Sequence, residues 1–68
     1  MQILLAILLY LHIINPGNTY YQSFINNENL LLAPSIELIE DDPDQMDTIN
    51  NVYYPQVDTI VIIDDLGG

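Results

Sequence analysis

The side chains with the most chemical potential in this chain are carboxylates. Asp42, Asp44 and Asp47 fall close together beside Glu40 and Asp41, and Asp64 and Asp65 stand side by side near the C-terminal end. Carboxylate oxygens are what calcium and magnesium select, so Asp42, Asp44, Asp47, Asp64 and Asp65 are the candidate divalent-cation ligands. Their spacing does not make an EF-hand loop. With Asp42 in the first position, the sixth is Asp47 where the sharp turn needs glycine. The twelfth is Tyr53 where a bidentate glutamate is required. Loose binding of divalent cations to an anionic surface is expected rather than a dedicated site. Covalent chemistry has less to work with. His12 sits alone in an apolar run, there is no cysteine, and Ser23 and Ser35 have no basic residue near them in sequence. A nucleophile needs an adjacent base, so no catalytic residue and no cofactor is assigned, and the chain reads as a non-enzyme.

Charge sharpens what is excluded. The 68 residues contain no lysine and no arginine against ten acids, for a formal charge of −10. At average composition, a basic-free chain of this length has odds on the order of 10⁻⁴. No side chain can clamp a phosphate or release counterions from a nucleic acid, and that release dominates such binding. Nucleic-acid partners are therefore not expected.

One short motif has a family resemblance. Ile60-Val61-Ile62-Ile63-Asp64-Asp65-Leu66-Gly67 resembles the Walker B strand of helicase-loader-type ATPases, four hydrophobics followed by two acids. The resemblance implies a strand in a parallel sheet whose two acids hold magnesium and polarise water, in a fragment of a nucleotide-binding ATPase. The partner motif of that family, a glycine-rich loop ending Gly-Lys-Ser/Thr, cannot exist in a chain without lysine. The competing reading is a buried strand whose solvent end is marked by two acids. A similar pattern occurs in the phosphoribosyltransferase signature, but the Thr-Gly-Gly-Thr continuation is missing.

The elements that must position these residues follow from patterning. Residues 3–14 read ILLAILLYLHII and are closed by Asn15-Pro16-Gly17, a helix stop and turn. Twelve residues make about 18 Å of helix, too short for a bilayer core of about 30 Å but within the range of a signal-peptide core. Gly17 and Thr19 then suit a cleavage before Tyr20, although the usual basic n-region is missing. Residues 18–29 are rich in Asn, Tyr and Gln and are expected to pair as strands or stay unstructured. Leu30-Leu31-Leu32-Ala33 is an apolar run stopped by Pro34, and residues 35–40 alternate like a short strand. Asp42-Pro43-Asp44-Gln45 predicts a helix start with Asp42 as cap, proline in the first position and glutamine three residues on. A helix near 43–50 would carry Met46, Ile49 and Tyr53 on one face, with Asn50-Asn51 ending it. The β-branched stretch at 57–63 predicts a strand apolar on both faces.

These readings give a small, irregular α+β chain: an N-terminal apolar helix, a short central helix and a C-terminal strand that needs a partner. A chain this short buries only about 60% of the surface its unfolded form exposes, and cysteine is absent, so an independent globular core is not expected. Residues 1–19 form a signal-like or anchor segment, and residues 20–68 an acidic mature region. The expected function is that of an exported, acidic, non-enzymatic protein with a structural or interaction role. It would be ordered by strand pairing with itself or another protein through Val57, Ile60, Val61, Ile62 and Ile63, and located outside the cell. Association with a membrane is expected only if residues 3–14 are retained as a partial anchor.

Overall fold

Uncharged residues at the start of the chain form the first helix, α1 (Gln2–Tyr10), in a computed structural model that describes residues 2–67. Ala6, Ile7, Leu8 and Leu9 are 0 to 2% exposed. Four consecutive positions cover more than a full turn, so α1 is enclosed on every side, as an all-apolar helix must be. The segment that resembles a signal-peptide core is therefore the centre of this fold. Among the described residues, no helix is long and apolar enough to cross a membrane.

α1 ends earlier than its apolar run. The Ile13 N–H donates to the Leu8 carbonyl at 3.0 Å and the His12 N–H to the Leu9 carbonyl at 3.0 Å. That pair of bonds is the Schellman arrangement, which needs a left-handed residue just past the helix. His12 supplies it with φ 63°, a conformation in which histidine is enriched over most non-glycine residues. The lone histidine thus caps a helix. The reversal returns Ile14 to the core at 1% exposure. Pro16-Gly17 then turns the chain, with φ +78° at the glycine, where a side chain would be strained.

Residues 18–29 pair as a strand at their start only, and the remainder is helical rather than unstructured. Thr19–Tyr21 is a short strand, β1, and Gln22–Leu31 is a helix, α2. A single non-helical joint at Leu32 separates α2 from α3 (Ala33–Glu40). The expected strand at 35–40 is thus a helix. Its alternation was misleading because Leu38 is exposed, while Ile36 and Ile39, three apart, are the buried pair. Pro34 does not merely stop the leucine run. It lies in the first turn of α3, where its missing N–H has no helical partner to lose.

α4 (Pro43–Thr48) starts where the sequence predicts. The Asp42 carboxylate accepts from the backbone N–H of Asp44 at 3.0 Å and of Gln45 at 3.3 Å. The Gln45 side-chain amide adds a 2.9 Å bond to the same carboxylate, and its oxygen accepts from the Tyr10 hydroxyl at 2.8 Å. Tyr10 packs edge-on against Tyr53 at 5.6 Å, so the cap is tied into the core. Asn50-Asn51 does not end the helix. The chain widens into a π turn over Ile49–Tyr53 and tightens into a 3₁₀ helix over Tyr54–Thr59. Pro55 has no N–H to continue an α ladder, and the change of pitch absorbs that gap. The Gln56 side chain donates to the Val52 carbonyl at 2.9 Å and satisfies an acceptor left behind. Across these changes of pitch the predicted face holds: Ile49 is fully buried, and Met46 and Tyr53 half-buried.

The strand expected over 57–63 is shorter. Val57 is buried in the 3₁₀ turn, and only Val61–Ile63 is strand, β2. β2 pairs parallel with β1 in the register Thr19↔Val61, Tyr20↔Ile62, Tyr21↔Ile63. Parallel neighbours need a long crossover, and α2, α3, α4 and the π and 3₁₀ turns supply it. The result, among the described residues, is a mostly helical α+β fold of four α-helices and a two-stranded parallel sheet. Its radius of gyration is 11.8 Å, close to the roughly 11 Å of a compact chain this long.

Ala6, Ile7, Leu8, Leu9, Ile14, Ile25, Ile36, Ile39, Ile49 and Val57 form the core. Ile49 packs where α1 meets the π turn, with no exposed surface. Ile49→Ala is expected to cost about 2–5 kcal/mol. A domain of this size has roughly 3–10 kcal/mol in total, so the urea midpoint should fall by about a fifth or more. A midpoint within the error of the parent would show that Ile49 is not buried in solution.

Candidate functional site

The sheet is anchored from one end. The Gly17 N–H donates to Thr59 Oγ1 at 2.9 Å, and that hydroxyl donates to the Gln56 carbonyl at 2.7 Å. The Val61 N–H donates to the Asn18 carbonyl at 3.1 Å. On the inner face, Tyr20 stacks on Phe24 at 5.7 Å, and its hydroxyl accepts from the Asn15 N–H at 2.8 Å. Ile62, opposite Tyr20, is half-buried and packs against the core.

The other face is open. Side chains alternate along a strand, so Tyr21, Val61 and Ile63 point outward, and they are 57%, 56% and 43% exposed. Tyr21 and Ile63 are register partners, which makes this a continuous apolar strip. The outer edge of β2 is open as well. Because Val61 directs its N–H to β1, the N–H and C=O of Ile62 point to the opposite side. Among the described elements, β1 is the one packed extensively on β2. Of the five residues expected to carry an interaction, Val57 is buried, Ile60 and Ile62 face the core in part, and Val61 and Ile63 are on the surface.

The five candidate metal-ligating aspartates are dispersed into local roles. Asp42 caps α4, and Asp44 lies in its first turn. Asp47 accepts from the Asn51 side chain at 3.1 Å, and Asp64 from the Leu66 N–H at 3.0 Å. Asp65 accepts from both the hydroxyl and the backbone N–H of Ser23, the latter at 2.9 Å, and so caps the start of α2 from the far end of the chain. Among the described residues, no group of three or more His, Cys, Asp or Glu is placed to hold a metal ion. The Asp65 contact was not legible in sequence, since Ser23 lies 42 residues away.

Both capping carboxyls are held below the usual carboxylate value. For Asp42 the leading cause is the Gln45 side-chain bond, followed by the Gln45 backbone N–H. For Asp65 it is the Ser23 hydroxyl, followed by the Ser23 N–H. A helix N-terminus is where an anion such as phosphate would dock, and in α2 a carboxylate of the chain itself is already bonded there. No protein-family model matches the chain, and neither the curated proteins nor the solved structures compared with it contain a match.

Proposed function

We propose that this is a small, acidic, non-enzymatic interaction protein that works by strand addition at the outer edge of β2, where side chains of the incoming strand would lie beside the exposed Val61 and Ile63. The observation that carries this reading is the two-stranded sheet with an uncovered edge and an apolar outer face. The unpaired N–H and C=O of Ile62 are a template on which another strand can pair. Main-chain hydrogen bonds supply the affinity in this mode of recognition, and alternate side-chain positions the specificity.

Export is a second part of the proposal and rests on the signal-like run at 3–14. The burial of α1 favours a form that keeps that run, because cleavage before Tyr20 would remove the centre of the core.

The test uses outward residues. Ile62→Lys would damage the inner face and confuse unfolding with loss of contact. Val61→Ser and Ile63→Ser change only exposed positions, where substitutions usually stay within about 0.5 kcal/mol. Together they should leave the thermal transition in place. They should also abolish binding of a short strand-forming peptide, followed by shifts of the Ile62 amide resonance. Unchanged peptide binding by the double variant would remove the sheet face from the reading.

A further inference from the structure

We infer that the strand this edge accepts is cationic, a peptide segment of another protein carrying Lys or Arg at its ends, and not a second copy of this chain. The inference rests on the strand-addition reading and adds the chemistry of the partner. Asp58 precedes the strand and Asp64 follows it, and both are exposed. The segment Ile60 to Ile63 is thus flanked in sequence by two carboxylates, Asp58 in the 3₁₀ turn and Asp64 directly after β2. The chain has no lysine or arginine to neutralise either one. Asp64 accepts from the Leu66 N–H through one carboxylate oxygen, whereas Asp65, next in line, has both of its oxygens bonded to Ser23. A second copy fits poorly. Each copy has a formal charge of −10, and like charge brought face to face opposes association. A basic partner meets the opposite condition. Exposed ion pairs are individually worth little, but the summed field steers a cation toward the surface and speeds encounter in a salt-dependent way.

The experiment titrates the isotope-labelled full chain with one strand-forming peptide, Lys-Val-Thr-Val-Lys with blocked ends, and three analogues. In the first analogue serine replaces both lysines, in the second glutamate replaces them, and in the third the alternate backbone nitrogens are methylated. The lysine peptide should shift the amides of residues 60–64, with affinity falling roughly tenfold as screening shortens from ~30 Å to ~8 Å between low and physiological salt. The serine analogue should bind several-fold more weakly and the glutamate analogue not at all. The methylated peptide, which keeps its charge but cannot complete the ladder, should lose the shifts at Ile62. Serine and lysine peptides of equal affinity would overturn the cationic inference and leave strand addition standing. A methylated peptide that binds as well as its parent would overturn strand addition and leave only charge attraction. Sedimentation of the full chain at neutral pH is run alongside. A concentration-dependent dimer, dissociated by none of the peptides, would overturn the assignment by making a second copy the occupant.

Discussion

A chain that begins at Tyr20 is expected to show no cooperative unfolding transition. Residues 1–19 contribute Ala6, Ile7, Leu8, Leu9 and Ile14, half of the core among the described residues. Full burial of one large aliphatic side chain is worth about 1.5–3 kcal/mol, so the four large ones lost here amount to roughly 6–12 kcal/mol by the same scale. The whole stability of such a domain is roughly 3–10 kcal/mol. The truncated chain also loses Thr19, the register partner of Val61, and the Asn18 carbonyl that receives the Val61 N–H. Circular dichroism should report mostly unordered chain, and amide resonances should collapse into the narrow range of an unfolded ensemble. If residues 20–68 alone keep a sharp thermal transition, α1 is not the centre of the core. The same measurement bears on processing. A cleaved form that is nonetheless folded would have to obtain its missing core from a partner, so it should order only when that partner is added.

The parts of this fold that were legible in sequence are those decided within a few residues. Asp42, Pro43 and Gln45 announce a helix start because cap, first turn and capping partner are adjacent, and the structure makes those bonds. The Met46, Ile49, Tyr53 face was legible because helical spacing is local. The apolar helix α1 was legible as a helix but not as a core, since the same composition serves a signal segment and a buried helix. Other features depend on what lies far away. β1 is three residues long, and nothing in Thr-Tyr-Tyr names Val61–Ile63 as its partner. The stretch at 35–40 was misread because Leu38 suggested alternation, whereas burial selects Ile36 and Ile39. For the candidate site, the apolar content of residues 60–63 was visible in sequence. Which two of those residues would remain uncovered was not, because that is set by where β1 and the core fall.

Two electrostatic effects should shape the stability of this chain, one answering to salt and the other to acid. The first is repulsion among ten carboxylates with no lysine or arginine among them. It is screened by salt. Raising ionic strength should therefore raise the melting temperature. A gain of about 1 kcal/mol would appear as about 4–8 °C in a domain this small. Calcium, as a divalent counterion, should act at lower ionic strength than sodium. The second effect belongs to Asp42 and Asp65, whose carboxyls are depressed by the hydrogen bonds they accept. A group whose folded value lies below its unfolded one stabilises fully above the unfolded value, and that contribution is lost as pH falls through the folded one. Below about 4, protonation should therefore release the caps of α4 and α2 and turn the curve downward. Asp42→Asn and Asp65→Asn keep a polar acceptor at each helix start while removing the titration. Together they should flatten the acid limb and leave the rise with salt at neutral pH in place. A melting temperature that is indifferent to both salt and calcium at neutral pH would show that repulsion does not limit this fold.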